Sequence, residues 1–385
     1  MTRAFIVAAS SVKVEEHWDK SLEYLMVSAG IDAMRTAKVS VVDSIYVSNV
    51  CGELLQYQAN LGPIVAEGLG LSGVPAFRVE SENASGALAV RQAYMEIASG
   101  ISDVVLVVGG EKLSDSSPDE FYNLCSLAER FDYVGYQGIT PHAEAALLYK
   151  LYTSRYGAPH EDVAYFSVIM HDHAHTAPHS QYPFKVSLET VLNSPVVADP
   201  LRRLECTSPA DGASAIILVS ERVARRLNDP IMVELSACEV STDYVNPFDR
   251  EDPLWFSALS TATDNALRRS GVGRQDIDLI EVFDSFSIVA AISLESSGFA
   301  YKGKAGAQAR SGDFALNGKL PINTFGGLKG RGHPFGATGV YQVSEAYMQL
   351  AEIAGKNQVD GARVAMTQTL AGLGSLAVVT VLKRV

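Results

Sequence analysis

The feature that most constrains this fold is a pattern that occurs twice in the same order. Ala84-Ser85-Gly86-Ala87 opens a helical segment carrying Ala93-Tyr94-Met95 and leads to the run Asp103-Val104-Val105-Leu106-Val107-Val108. Gly336-Ala337-Thr338-Gly339 opens a second, carrying Ala346-Tyr347-Met348, and leads to Ala362-Arg363-Val364-Ala365-Met366. Ahead of each stands a matching strand word, Val42-Asp43-Ser44-Ile45-Tyr46-Val47 in one and Ile277-Asp278-Leu279-Ile280-Glu281-Val282 in the other. Three matches in one order argue for duplication of a single unit.

At 385 residues the chain exceeds the length that one hydrophobic core serves, so two halves are expected, at residues 1–225 and 226–385. Strand candidates are Ala4–Ala8, Val42–Val47, Val104–Val108 and Ser214–Val219, then Met232–Ala237, Ile277–Val282, Val364–Thr367 and Leu376–Leu382. They alternate with helical-period segments, the pattern of βαβ units with buried parallel strands, which gives an α/β fold class. Residues 111–209, roughly Glu111 to Pro209, have no counterpart in the second half. An insertion of that size is expected to form a lid or part of a pocket.

Apolar residues at 47% and charged ones at 19% describe a folded chain, and the net charge of −13 works against nucleic acid or an anionic membrane surface as partner. A local basic funnel for a phosphorylated small molecule stays open. The first ten residues, Met1 to Ser10, are too short and too quickly polar for a signal peptide, and no run reaches a membrane span, so a cytoplasmic location is expected. Cys51, Cys125, Cys206 and Cys238 lack CxxC spacing and read as reduced structural thiols.

Residues 322–339 are the most specific stretch, reading Ile322-Asn323-Thr324-Phe325-Gly326-Gly327-Leu328-Lys329-Gly330-Arg331-Gly332-His333-Pro334-Phe335 before the repeated Gly336-Ala337-Thr338-Gly339. Glycines this dense before a helix imply left-handed backbone and close approach to a ligand, with helix-start amides available to an oxyanion. His333, at the loop's centre, is a candidate acid–base group; the alternative is a histidine that only hydrogen-bonds its own loop. The phosphate-loop pattern GxxxxGK[ST] is absent, and Gly372-Leu373-Gly374 is too short for a dinucleotide fingerprint. His171, His173, His175 and His179 alternate as metal ligands can, but a site also needs geometry and supporting partners, and no metal is expected. Glu80 and Glu82 could be read as a carboxylate pair, with solvation or ion pairing as the alternative.

The third loop, with Val79 to Ala87, Glu281 to Phe286 and Thr369 to Gly374, resembles the four active-site loops of the thiolase superfamily, most closely its sterol-carrier-like and archaeal members. Cys206 to Ala213 is similar to the segment before the fifth strand of the first half. The resemblance spans nearly the whole chain. It implies two βαβαβαββ halves forming a five-layer α-β-α-β-α core, with a loop-domain insertion in the first half. It further implies acyl-CoA as substrate or ligand with no other cofactor, and His333, Asn83, Ser285 and Asn323 as site residues. Gly332, Gly336, Gly372 and Gly374 would lie against the substrate or its coenzyme A. A homodimer or dimer of dimers is implied too, as is a small zinc-ribbon/OB-fold partner.

The resemblance also exposes departures. The nucleophilic cysteine of such enzymes falls at Asn83, a residue that cannot carry a thioester. Their second cysteine falls at Ser285 or Thr369, and a water-holding asparagine or histidine at Phe283. Three readings follow: inherited acetyl-CoA acetyltransferase chemistry, a non-covalent retro-aldolase or decarboxylase in which His333 moves the proton, and a non-catalytic acyl-CoA-binding or scaffold subunit.

Overall fold

The computed structural model describes residues 2–227 and 231–385. Its strands are β1 (Ala4–Ser11), β2 (Ser44–Ser48), β3 (Ala76–Val79), β4 (Val104–Glu111), β5 (Val196–Ala198), β6 (Leu201–Arg202), β7 (Gly212–Ser220), β8 (Val233–Thr242), β9 (Leu279–Glu281), β10 (Val364–Ala371) and β11 (Leu376–Arg384). Each expected strand is present with shifted ends. The run at Ile277–Val282 shortens to the three residues of β9, and β3, whose Ala-Phe-Arg-Val carries a charge and is only partly buried, was not anticipated.

Among the described residues nine strands form one sheet, in the order β3-β2-β4-β7-β1-β8-β11-β10-β9. Read outward from the β1/β8 pair the two arms mirror each other. The antiparallel neighbours β7 and β11 come first, then β4 and β10, then the parallel strands β2 and β9. Ile322 bridges Ile280 in parallel where the second arm would hold a counterpart of β3.

The repeated strand word explains part of this symmetry. Asp43 Oδ2 accepts the N–H groups of Asp103 and Val104 at 2.8 and 2.9 Å. Asp278 Oδ2 accepts those of Arg363 and Val364 at 2.7 and 2.9 Å. The same aspartate thus fixes the entry of the neighbouring strand in both arms.

Alternation along the strands sorts side chains into layers. Leu106, Val108, Ile217 and Val219 pack outward with Leu25 and Ala29 of the helix Leu22–Ala37. Val105, Val107, Ile216 and Leu218 pack inward with Ala93 and Val343. Those last two belong to the helices Ser85–Ser99 and Thr338–Leu350, which touch both arms and each other, and the helix Ser257–Ser270 covers the far face of β8 and β11. The two arms of the single sheet thus serve as two layers, giving helix, arm, helix, arm, helix.

The two central helices meet at their first turns through the repeated glycines. A Cβ on Gly339 would stand 2.3 Å from the amide nitrogen of Ala87, and one on Gly86 2.8 Å from the carbonyl of Gly336. No larger residue fits, and the close approach brings the loops ending at Asn83 and His333 together. Residues 111–209 contribute the helices Pro118–Ser126, Pro141–Tyr156 and His160–Ala174, which roof these loops and share a core with the second half through Tyr149, Tyr152, Phe166 and Ile288.

Candidate active site

The loop between β3 and its helix is folded by Ser85, whose Oγ accepts the N–H of Ser81 at 2.8 Å and donates to the Glu82 carbonyl at 2.5 Å. Glu82 is thereby held at φ +53°, a left-handed backbone that side-chain-bearing residues rarely adopt. Asn83 follows, 9% exposed, with its Oδ1 buried and without a hydrogen-bond partner. Leaving a buried amide oxygen unpaired costs about 1–3 kcal/mol, and such orphans in native folds call for a ligand or water.

His333 stands across from it on the second central helix's loop. Its Nδ1 lies 2.7 Å from Thr338 Oγ1, and the ring meets Phe283 edge-on at 5.5 Å between centroids, 87° between planes. Burial, with the nearby Arg331 guanidinium, lowers the imidazole to a pKa of about 3. The ring is therefore neutral at physiological pH, a hydrogen-bonding group more than a base.

Asn83, Ser285, His333, Gly372 and Glu82 line one cavity of about 40 Å³, room for a water or a small reacting group. Phe121, His142 and Thr207 link it to an adjoining cavity of about 270 Å³. Arg203, Cys206 and Ser208 continue into a third of about 370 Å³, walled by His171, Tyr182, Phe184 and Lys329. A passage with a narrow reacting end and a wider, aromatic mouth that carries Arg203 suits a long ligand.

Other expected site residues lie elsewhere. Asn323 is fully buried behind the cavity, donating from Nδ2 to Asp284 Oδ1 at 2.7 Å and accepting the Val282 N–H at Oδ1. With the fully buried Asp284–Lys329 pair, 2.8 Å apart, it braces the second and third loops against each other. Thr369 donates to Gln342 Oε1 at 2.6 Å and does not line the cavity. Gly336 gives its N–H to Glu111, so that amide is not free for an oxyanion. Gly332 adjoins Val14 and Gln181, and Gly374 adjoins Phe256.

Several contributors escaped the sequence reading. Glu111, directly after the apolar strand word, gathers the N–H groups of Val50, Cys51 and Gly336 and the Asn49 amide at 2.7–3.0 Å. A charge ending a buried strand was the available signal. His142, from the insertion, lines both inner cavities, its Nδ1 buried without a partner and its pKa lowered to about 4 by burial. Cys125, read as structural, also reaches the cavity wall; burial and the Glu82 carboxyl push its thiol far up, away from the thiolate that reactivity needs. The histidines at 171, 173 and 175 each turn Nδ1 to backbone carbonyls, and His179 pairs with Glu345 at 2.8 Å.

Comparison with known proteins decides the family. A thiolase N-terminal domain matches residues 4–222 and a thiolase C-terminal domain-like region residues 240–384. The chain belongs to the thiolase family. This thiolase-family chain is 37% identical over 382 residues to the acetyl-CoA acetyltransferase of Methanothermobacter thermautotrophicus, covering 98% of this chain and 99% of that one. It is 32% identical over 399 residues to human sterol carrier protein 2, covering 100% of this chain and 72% of the relative. Its fold overlays that of the Ltp2-ChsH2(DUF35) aldolase with a TM-score of 0.85 at 23% identity, over 98% and 97% of the two chains.

Proposed function

We propose that this thiolase-family chain binds an acyl-CoA and makes or breaks a carbon–carbon bond without an acyl-enzyme. The observation that carries this is the pairing of Asn83, its side-chain oxygen unpartnered, with a neutral His333 across one cavity whose only thiol, among the described residues, is the repressed Cys125. Asn83 stands where the resemblance puts the nucleophile, and its amide can offer NH₂ or oxygen to a ligand. The imidazole and this amide are apt holders of a thioester oxygen as it becomes an enolate, the electrostatic contribution that such reactions depend on.

Retro-aldol cleavage of a 3-hydroxyacyl-CoA fits better than decarboxylation. Glu82 in the cavity wall repels a substrate carboxylate, and no cation lines the inner cavity among the described residues. The fold shared with an aldolase solved together with a DUF35 chain supports both the chemistry and a small partner of that kind. We further infer a homodimer or dimer of dimers, by the same family resemblance. No helix among the described residues is long and apolar enough to cross a membrane, in keeping with a cytoplasmic site of action.

Incubation with a panel of 3-hydroxyacyl-CoAs, followed by chromatography of the CoA products and mass spectrometry of the intact protein, tests this. Aldehyde or ketone plus a shortened acyl-CoA, with unchanged protein mass, is expected. An acyl adduct formed from acetoacetyl-CoA, with thiolysis by free CoA, would establish ordinary acyl transfer instead. Tight ligand binding without turnover would leave the non-catalytic reading.

A further inference from the structure

The reaction just proposed needs a group to carry a proton, and His333, neutral and tied to Thr338, is a poor base. The same cavity wall holds a better one. The left-handed backbone at Glu82 puts its carboxyl beside Gly372, whose N–H it accepts at Oε2 at 2.8 Å, and the Asn83 amide also bears on it. Both neighbours line the cavity with it, and the orphaned Asn83 Oδ1 marks the same space as one that a ligand or water completes.

The surroundings hold this carboxyl near the point of titration. Burial raises it to about 7, with the negative charges of Glu80 and Glu129 adding to the rise, against the backbone N–H groups of Asn83 and Gly372 that favour its anion. The thiols of Cys51 and Cys125 also feel its charge. Nearby, burial raises the carboxyls of Glu129 and Glu144 to about 7 and about 8, against the Arg250 guanidinium, which favours both anions.

We propose that Glu82 is the catalytic acid–base of this site. This rests on the carbon–carbon reading above. In the cleavage direction the Glu82 carboxylate takes the substrate's 3-hydroxyl proton. The oxygen's electron pair forms the product carbonyl as the bond between C2 and C3 breaks, and the pair released becomes the thioester enolate, its oxygen held by His333. Glu82 then returns its proton to C2, so that a 3-hydroxyacyl-CoA gives an aldehyde or ketone and a shortened acyl-CoA with no proton gained or lost.

Exchange of the C2 hydrogens of propionyl-CoA in D₂O, followed by NMR, reads this proton transfer without any bond cleavage. Wild-type protein is expected to exchange them with a rate that rises with pH to a plateau, with its midpoint near pH 7. Glu82→Gln should slow exchange by roughly 100-fold or more and abolish the pH limb. Glu82→Asp should retain the limb at reduced rate. Circular dichroism and propionyl-CoA binding check that each variant is folded. Wild-type exchange rates in Glu82→Gln overturn the proposal, as does bound propionyl-CoA that wild-type protein never exchanges. Exchange that depends on Glu82, in a protein that cleaves no 3-hydroxyacyl-CoA, upholds the proposal while refuting the lyase reading.

Discussion

The two central helices descend from the same repeated word, yet their starts have opposite character. At the start of Thr338–Leu350 polar groups are matched: Gly336 gives its N–H to Glu111, its carbonyl accepts Ser48 Oγ at 2.8 Å, and His333 is tied to Thr338. At the start of Ser85–Ser99, Asn83 Oδ1 is orphaned and Glu82 combines left-handed backbone with a raised carboxyl. One start is braced from behind and the other is open toward a ligand. The duplication supplies two helix starts in contact, and the difference in their partners decides which one holds its loop still and which one meets the substrate.

The braced side should carry the larger stability effects. Glu111→Ala strips a common acceptor from four donors, and at about 1 kcal/mol or more for each buried donor left unpaired the loss should be at least ~3 kcal/mol. The midpoint of urea unfolding measures it; a change under ~1 kcal/mol would mean that the two starts are not braced differently. Gly339→Ala tests the contact between them. Its methyl would sit 2.3 Å from the Ala87 nitrogen, and forcing the helices apart should cost about 1–3 kcal/mol and also weaken acyl-CoA binding by separating His333 from Asn83.

Much of this contrast was legible in the sequence, for physical reasons that differ by residue. The repeated words marked the central helices because only glycine permits their approach, and the apolar runs marked β4 and β7 because strands buried on both faces carry few polar residues. His333 stood out at the centre of the glycine-rich loop and Asn83 came from the family resemblance, and the structure sets them in one cavity. Asn323 could not be told from a ligand-facing amide, since its partners Val282 and Asp284 lie about forty residues away in sequence. The same long range hid His142 and Cys125, which reach the cavity only because the insertion folds back over it. Three carboxylates, Glu82, Glu111 and Glu144, owe their raised pKa values first to burial, a property of the packed state that residue spacing does not encode.

On the open side, Asn83→Ala should change stability by less than ~0.5 kcal/mol or raise it, because the amide oxygen lost has no partner to leave behind. Cleavage or exchange should nonetheless fall by about 100-fold, as on loss of a group that holds a developing oxyanion. Denaturant midpoints beside turnover rates separate the two effects. A large stability loss with unchanged turnover would reverse the assignment of the two helix starts.

The last expected effect is a change in slope. The folded-state pKa of Glu82, about 7, lies above the ordinary carboxyl value of 4.5, so between those values the native protein binds more protons at this site than the unfolded chain does. Stability from this residue is therefore present below about pH 4.5 and is lost as pH rises through about 7. His333 and His142 act in the opposite sense, because their lowered values withdraw stability as pH falls below 6.5. The total curve mixes the two, so the informative quantity is the difference between wild type and Glu82→Gln. The variant's thermal midpoint should gain on wild type from pH 5 to about pH 7 and then level off. A difference that stays constant with pH would show that the open helix start carries no titrating carboxyl, and would remove the distinction between the two starts that the site's chemistry requires.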